Sequence, residues 1–249
     1  LHQIAPSVRR QAAFYEEHLA EFRWRIVVAI NGPGADTVRD EAQVQADADA
    51  RVRWIYTPQA GKGAGVIAAW RSSHADLRAY VDVDLAADLH SLVWALEALR
   101  DPQVDIAAAS RYHPQSHVRR SWRRRIVSIV YHGVFLRGLL GVHFTDGQCG
   151  CKAVTSRVAR EVVPHVRDRA WFFESELLVL AERMGFRIRE VPVRWAEGPS
   201  SGVRLHTAIP QFVAHVARLW WQRRPPTELP EEICETGDVA STEVVPTCQ

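Results

Sequence analysis

The sequence predicts an α/β domain with a mostly parallel central sheet flanked by helices. Short β-branched runs alternate with amphipathic stretches of helical period, the pattern of strands joined by right-handed crossovers. The chain has 249 residues, enough for one such domain with a buried core. Apolar residues make up 47% and charged residues 24%, which excludes a wholly disordered, collagen-like or coiled-coil chain.

Strands and helices alternate along the first half of the chain. Strands are predicted at residues 25–30, 52–56, 77–83 and 104–109, where the runs are short and apolar. The breaker Asn31-Gly32-Pro33-Gly34 ends the first strand. Helices are predicted at residues 9–23, from the breaker to about residue 50, and at 61–74 and 88–100. Asp88 is placed to cap the last of these.

The second half has fewer strand signals and ends in an acidic tail. Helices are predicted at residues 126–140, 171–184 and 207–222, and residues 186–195 form an edge strand because they contain Pro192. Residues 225–249 carry six acids and no Lys or Arg, which predicts a disordered tail. We therefore expect one domain over residues 1–224, followed by the tail over residues 225–249.

The net charge of +2 conceals two oppositely charged parts. The six acids of the tail give −6, which leaves +8 on residues 1–224. A basic cluster at residues 119–125, around Trp122, precedes an apolar helix. It is either a solvated charge run or a site for an anionic membrane surface and lipid phosphate. Nucleic acid is not expected, because no groove-reading motif accompanies the cluster.

Two acids two residues apart follow the predicted third strand. Ligands of open α/β sheets bind at the carboxyl ends of strands, so Asp82 and Asp84 are placed to hold a divalent cation, Mg²⁺ or Mn²⁺. The alternative is a pair of solvated turn acids. Gly61-Lys62-Gly63 opens a helix and has the composition of a phosphate-binding turn or of a structural turn. It is not a nucleotide-binding P-loop, because that motif ends in Gly-Lys-Ser or Gly-Lys-Thr, whereas here Gly63 and Ala64 follow Lys62 and no Ser or Thr is placed to hold magnesium.

Six segments occur in a recognisable order. They read GKGAGVIAAW, YVDVDLAAD, AAASRYH, DGQCGCK, WFFESELL and EVPVRWAEGPSSGVRL. Together they resemble the family 2 nucleotide-sugar glycosyltransferases, which have the GT-A fold. The resemblance is closest to the dolichyl-phosphate or polyprenyl-phosphate glucosyltransferase and mannosyltransferase type, and it runs from about residue 3 to residue 204. That family opens with a strand bearing V-x-P-x-Y-N-E-E, so we expect the first strand to be missing from this chain.

The resemblance implies roles for individual residues. Asp82 contacts the nucleotide ribose or the metal, and Asp84 ligates the metal. The donor side is completed by Asn31, Lys62 and Arg111. The residues expected where donor meets acceptor are Asp146, Gln148, Glu174 and Glu176, with Asp84. The residues expected to approach the acceptor phosphate or the membrane are Arg119, Arg120, Arg123 and Arg204.

The implied function is inverting transfer of a hexose from a nucleotide sugar to polyprenyl phosphate. The enzyme would be metal-dependent and peripheral on the cytoplasmic face of the cell membrane. UDP-glucose is the first donor expected and GDP-mannose the second. Transfer to a soluble acceptor, or a non-catalytic protein that binds nucleotide sugars or membranes, are the alternatives.

Overall fold

The computed structural model describes residues 4–34, 36–196 and 205–222. Its strands, in chain order, are β1 (Ile26–Asn31), β2 (Val52–Thr57), β3 (Leu77–Val81), β4 (Ile106–Ala109), β5 (His117–Arg119), β6 (Cys151–Thr155), β7 (Ile188–Val191) and β8 (Arg194–Ala196). Its α-helices are α1 (Ile4–His18), α2 (Asp36–Ala48), α3 (Lys62–Arg71), α4 (Leu89–Ala98), α5 (Trp122–Val130), α6 (Ser156–Glu161), α7 (Phe173–Arg183) and α8 (Leu205–Trp221). A π-helix, Tyr131–Leu139, continues α5, and a 3₁₀ turn, Val163–His165, follows α6. The tail lies outside the described residues.

The largest sheet has four strands in the order β3-β6-β4-β7. β4 and β7 are parallel, but β6 is antiparallel to both of its neighbours. The pairs β1-β2 and β5-β8 are parallel. The parallel expectation therefore holds for three pairs and is wrong for the two that β6 makes. The sequence did not predict β6, because its five residues carry a lysine and are too few to show a period.

β1 and β3 each present an edge without a strand partner among the described residues. β1 pairs only with β2, and β3 pairs only with β6. A cavity of about 2350 Å³ is lined by every residue of both strands and runs between them. The carboxyl ends of β1 and β3 therefore open onto one space.

The core has two layers, one on each face of the four-stranded sheet. Ile106 and Ala108 of β4 belong to the layer that includes α7, whereas Ala107 and Ala109 belong to the layer that includes α4. All four residues are fully buried. A strand that is apolar at every position is expected where helices cover both faces of a sheet.

Element boundaries differ from the predicted ones at α1 and at residues 186–195. α1 covers Ile4–His18 rather than residues 9–23, because Pro6 is tolerated in the first turn of a helix. The single strand expected at residues 186–195 is two strands, β7 and β8, which pair in different sheets. Pro192 lies between them and has no N–H to donate to a sheet ladder. No helix in the described ranges combines the length and the apolar character that crossing a bilayer requires.

A close approach of α3 to α7 generates the first prediction. A Cβ added at Gly63 would lie 2.6 Å from Cβ of Phe173, so Gly63→Ala forces the two helices apart. We expect a loss of about 1–3 kcal/mol in the free energy of unfolding, measured by urea titration. Gly133→Ala is the control, because nothing lies within 4 Å of its added Cβ. Equal effects of the two substitutions would contradict the close approach.

Candidate active site

The cavity between β1 and β3 collects most of the predicted site residues. The carboxyl ends of strands are where open α/β sheets bind ligands. The predicted residues that line the cavity are Asn31, Lys62, Asp82, Asp84, Arg111, Arg120, Gln148 and Glu174. They come from seven separate places in the chain, which the fold brings to one cavity.

The two aspartates lie on a tight turn after β3. The N–H of Leu85 donates to the carbonyl of Asp82 at 2.9 Å, and Leu85 has a φ of +50°. One oxygen of Asp84 accepts the N–H of Ala86 at 3.1 Å. The turn leaves Asp84 exposed at the cavity, while Asp82 is partly covered. Both carboxylates therefore face the same space.

Gly150 gives Asp82 its position. The N–H of Asp82 donates to the carbonyl of Gly150 at 3.0 Å. A Cβ added at Gly150 would lie 1.9 Å from Oδ2 of Asp82, so only glycine leaves room for the carboxylate. The segment DGQCGCK therefore shapes the turn that carries Asp82 and Asp84, because its Gly150 directly precedes β6, the neighbour of β3.

Lys62 links the turn that carries Asp82 and Asp84 to α7. Its Nζ lies 2.6 Å from Oδ1 of Asp82 and forms a second ion pair with Glu174. Burial works against the charge of Lys62, but Glu174 and Asp82 outweigh it and raise its pKa. Burial raises the pKa of Asp82, although Lys62 opposes that rise. The cavity wall thus carries a shared cation between two carboxylates.

Asn31 and Arg111, which were predicted to contact the nucleotide-sugar donor, form hydrogen bonds with other residues of this chain. Oδ1 of Asn31 accepts the N–H of Gly61 at 2.9 Å and so holds the loop that precedes α3. Arg111 makes a bidentate pair with Asp146, at 2.7 and 2.8 Å, and donates to the carbonyl of Gln148. The direct contacts of Arg111 therefore position the Asp146–Gln148 loop.

Asp146 is fully buried beneath the cavity. Burial opposes its ionisation, but the charge and hydrogen bonds of Arg111, assisted by His132, hold its pKa well below the ordinary value. Nε2 of His132 lies 3.3 Å from Oδ1 of Asp146. The N–H of Asp146 donates to Glu190 on β7 at 2.9 Å. Asp146 therefore holds the loop rather than lining the cavity.

The two acids of α7 have different surroundings. Glu174 lines the cavity and contacts Lys62. Glu176, by contrast, is fully buried, accepts the N–H of Asp168 at 2.8 Å and pairs with Arg218 of α8 at 2.9 Å. The expectation that Glu176 lines the site is wrong for this structure. The reason is helical geometry, because residues two apart on a helix do not share a face.

Gln148 reaches α7 as well. Its Nε2 donates to Oγ of Ser175 at 2.8 Å and to the carbonyl of Trp171 at 3.1 Å. Its side chain therefore joins the Asp146–Gln148 loop to the start of α7.

The predicted acceptor arginines are only partly gathered at the cavity. Arg120 lines it, with its guanidinium 5.7 Å from the ring centre of Trp195. Arg119 ends β5 and is exposed. Arg123 lies within α5, but its side chain is outside the described part, and Arg204 lies outside the described residues altogether. The structure thus places Arg120 at the cavity and Arg119 at the end of β5, outside the cavity lining.

Sequence reasoning missed four residues that organise the site. They are Tyr131 and His132 of the π-helix, Lys152 of β6 and Glu190 of β7. Tyr131 donates to Oγ of Ser175 at 2.8 Å, while His132 approaches Asp146. The wider turn brings both of these neighbours to the site, and π-turns are frequent at functional sites. Lys152 lies in the segment DGQCGCK, and Glu190 is the first residue of EVPVRWAEGPSSGVRL. The resemblance of these two segments to family motifs was the signal that could have identified both residues.

Asp82 and Asp84 fit a divalent cation as two carboxylate ligands. In the part of the chain that is described, no group of three or more His, Cys, Asp or Glu is placed to hold a metal. Mg²⁺ is usually held by one or two carboxylates, with substrate phosphates and water completing the shell. The pair therefore suits a metal that arrives with a phosphorylated substrate.

The geometry defines a site with paired charges at the strand ends of an α/β fold, and comparison with known proteins identifies the family of the chain. The family model for glycosyl transferase family 2 matches residues 4–163, and the chain belongs to that family. Glycosyltransferase AglD of Haloferax volcanii is 30% identical over 220 residues, which are 88% of this chain and 35% of AglD. Dolichyl-phosphate beta-glucosyltransferase ALG5C of Trichomonas vaginalis is 27% identical over 214 residues, 82% of this chain and 63% of the relative. The chain thus spans about a third of the first relative and under two thirds of the second.

Solved structures share the fold. Glucosyl-3-phosphoglycerate synthase from Mycobacterium tuberculosis, in complex with Mn²⁺, uridine diphosphate and phosphoglyceric acid, matches with a TM-score of 0.54 and 16% identity. The match covers 82% of this chain and 69% of that one. The GT-A-like α/β fold expected from the sequence is therefore confirmed.

The buried pair of Arg111 and Asp146 generates the second prediction. Asp146→Asn removes the carboxylate and leaves Arg111 buried without its counter-charge, which costs about 3–5 kcal/mol of stability by urea titration. In the wild type the lowered pKa adds stability above the unfolded-state pKa of about 3.9, and that stability is lost as pH falls toward the folded-state value. The variant should therefore lose less stability than the wild type below about pH 4.

Asp36→Asn is the matched control, because Asp36 pairs with Arg39 on the surface and its side chain is 88% exposed. It should leave both stability and the acid limb unchanged. An Asp146→Asn variant with the stability and acid limb of the wild type would contradict the buried pair.

Proposed function

We propose that this protein transfers a hexose, with glucose as first choice, from a nucleotide sugar to polyprenyl phosphate, with inversion at the anomeric carbon. The observation that carries the proposal is the cavity wall on which Asp82, Asp84, Lys62 and Glu174 converge. The relatives named dolichyl-phosphate beta-glucosyltransferase support the acceptor class and the sugar. The structural neighbours solved with Mn²⁺ and uridine-diphosphate-glucose support the donor.

Asp82 and Asp84 would hold Mg²⁺ or Mn²⁺, which would neutralise the developing charge on the leaving diphosphate. Lys62 adds a fixed cation beside them, 2.6 Å from Asp82. Both charges act where the bond from the anomeric carbon to the diphosphate breaks. The site therefore suits departure of an anionic nucleotide.

The acceptor needs no general base. A phosphate monoester has a second pKa of about 6 and carries an anionic oxygen at about pH 7. That oxygen forms the new bond to the anomeric carbon as the nucleoside diphosphate leaves, and no proton has to be removed. Glu174, whose pKa is lowered by Lys152 and Lys62 against the effect of burial, stays ionised and orders the cations.

The third prediction tests the proposed metal ligand Asp84 in the turn after β3. Asp84→Ala removes an exposed ligand and should lower transfer from UDP-glucose to polyprenyl phosphate by about 100-fold or more with Mn²⁺ present. Radiolabelled sugar recovered in the lipid phase measures transfer. Asp40→Ala, an exposed acid of α2, is the control. Activity of Asp84→Ala within about threefold of wild type would contradict a role of Asp84 as a metal ligand.

The same assay separates the alternatives. GDP-mannose in place of UDP-glucose tests the donor, and a water-soluble phosphate acceptor in place of the lipid tests the acceptor. Turnover without lipid would move the assignment to a soluble acceptor. Binding of nucleotide sugar without any turnover would indicate a non-catalytic protein.

An exposed apolar face beside the cavity supports peripheral association with an anionic membrane. It lies along α5 and the π-helix, and Ile126, Val130 and Tyr131 of these helices also line the cavity. The large apolar side chains exposed on it are Trp122, Ile126, Val127, Ile129, Val130, Val134 and Leu139. Arg119 and Arg125 are exposed near the start of α5. Apolar side chains with flanking arginines suit a helix lying in the headgroup region, where a lipid phosphate would meet the cavity.

The fourth prediction tests this face. Ile126→Asp places a charge on it and should weaken binding to vesicles containing phosphatidylglycerol by about tenfold or more, measured by co-sedimentation at low salt. Val44→Asp is the matched control, because Val44 is an exposed valine of α2 and is not part of this face. Equal binding by both variants, or binding without dependence on anionic lipid, would count against the membrane face.

A further inference from the structure

The chain contains only two lysines, and both contact the same glutamate. Of the 31 basic residues, 29 are arginines, and the two exceptions are Lys62 and Lys152. Lys62 pairs with Glu174 from the cavity side, and Nζ of Lys152 lies 3.5 Å from Oε2 of Glu174. A chain that otherwise uses arginine thus places lysine at this one carboxylate from both sides.

Lys152 lies entirely inside the protein. It sits on β6, opposite Tyr80 of β3 and Ala108 of β4, and its side chain has no exposed surface. Its Nζ donates to the carbonyl of Cys149 at 2.7 Å and to Oη of Tyr80 at 3.3 Å. A buried ammonium costs several kcal/mol unless it is paired, so Glu174 is its necessary counter-charge.

Charges alternate from the interior to the cavity. The order is Lys152, Glu174, Lys62 and Asp82, and the exposed fractions of these side chains are 0%, 2%, 14% and 32%. Lys152 does not line the cavity, whereas the other three do. Because Lys152 offsets the charge of Glu174 from behind, the cavity retains the positive charge of Lys62 that the two carboxylates would otherwise outweigh.

We infer that Lys152 is a positioning residue for the donor diphosphate, acting through Glu174 on Lys62. The inference rests on the proposed donor site. With Lys152 present the four charges sum to zero, and without it they sum to −1. An anionic diphosphate is repelled by the second arrangement, and Lys62 is drawn toward Glu174.

The type of residue agrees with this role. An ammonium is a compact point charge with three donors, whereas a guanidinium is a wide planar fork. Nζ of Lys152 donates to Cys149 and Tyr80, and it lies within ion-pair distance of Glu174. A larger group at this position would have to displace its neighbours, because protein interiors are closely packed.

The experiment combines donor binding with direct observation of the lysines. Protein labelled with ¹³C at lysine Cε gives two side-chain signals in the wild type and one, that of Lys62, in Lys152→Met. Titration calorimetry with UDP-glucose and Mn²⁺ gives the dissociation constant. The variants are Lys152→Met, Glu174→Gln and the double variant, and thermal melting confirms that each is folded.

We expect Lys152→Met to bind UDP-glucose about tenfold more weakly than the wild type, with a shifted Lys62 signal. The double variant restores zero net charge, so its affinity and its Lys62 signal should return toward those of the wild type. A purely structural role would lower the melting temperature of Lys152→Met without changing the affinity of its folded fraction. It would also predict no rescue by Glu174→Gln.

Two results would overturn the inference: wild-type affinity in folded Lys152→Met, or a double variant that binds as weakly as the single one. If the wild type itself does not bind UDP-glucose, the proposed donor is wrong, and the Lys62 signal then decides the charge coupling alone. An unchanged Lys62 signal in Lys152→Met refutes that coupling. If folding of Lys152→Met fails, the double variant, which removes the uncompensated buried charge, carries the same comparison against Glu174→Gln.

Discussion

The buried carboxylate of Glu174 is the interaction on which the arrangement of the site depends. It lies at the start of α7, and its two oxygens face Lys62 on α3 and Lys152 on β6. Through Lys62 it is connected to Asp82 after β3. Charges with so little exposure must be matched, since each carries a large desolvation cost. The requirement ties together three elements that are remote in sequence, and it explains why the cavity wall has a defined charge pattern.

A second buried carboxylate, Asp146, supports the first from the neighbouring loop. Arg111 grips it from the end of β4, Glu190 of β7 accepts its N–H, and His132 approaches from the π-helix. Gln148, two residues on, then reaches Ser175 of α7. The two networks meet on α7, so the loop that places Gly150 under Asp82 is fixed with respect to Glu174. A continuous set of side-chain contacts thus holds the loop, α7 and the turn after β3 together.

Much of the fold, and part of the set of residues that lines the cavity, could be predicted from the sequence. Alternating apolar runs predicted β1 to β4, because the period of a strand or helix is a local property. Asp82, Lys62 and Glu174 were found because their motifs are local as well. β6 was missed because a five-residue strand carrying Lys152 has no recognisable period. Glu176 was assigned to the site because the segment WFFESELL resembles a family motif, although the helix turns Glu176 toward Arg218.

The sequence by itself determined the α/β class, the order of motifs that marks the family, and the charged residue types that meet at the cavity. Only the tertiary structure decided the direction of β6, the division of residues 186–195 into two strands, and which acid faces the cavity. It also decided that the two lysines converge on one glutamate. The physical reason is the same in each case: strand pairing and charge matching join residues that are far apart in the chain. A local sequence pattern contains both partners of such a pair but does not specify that they contact each other.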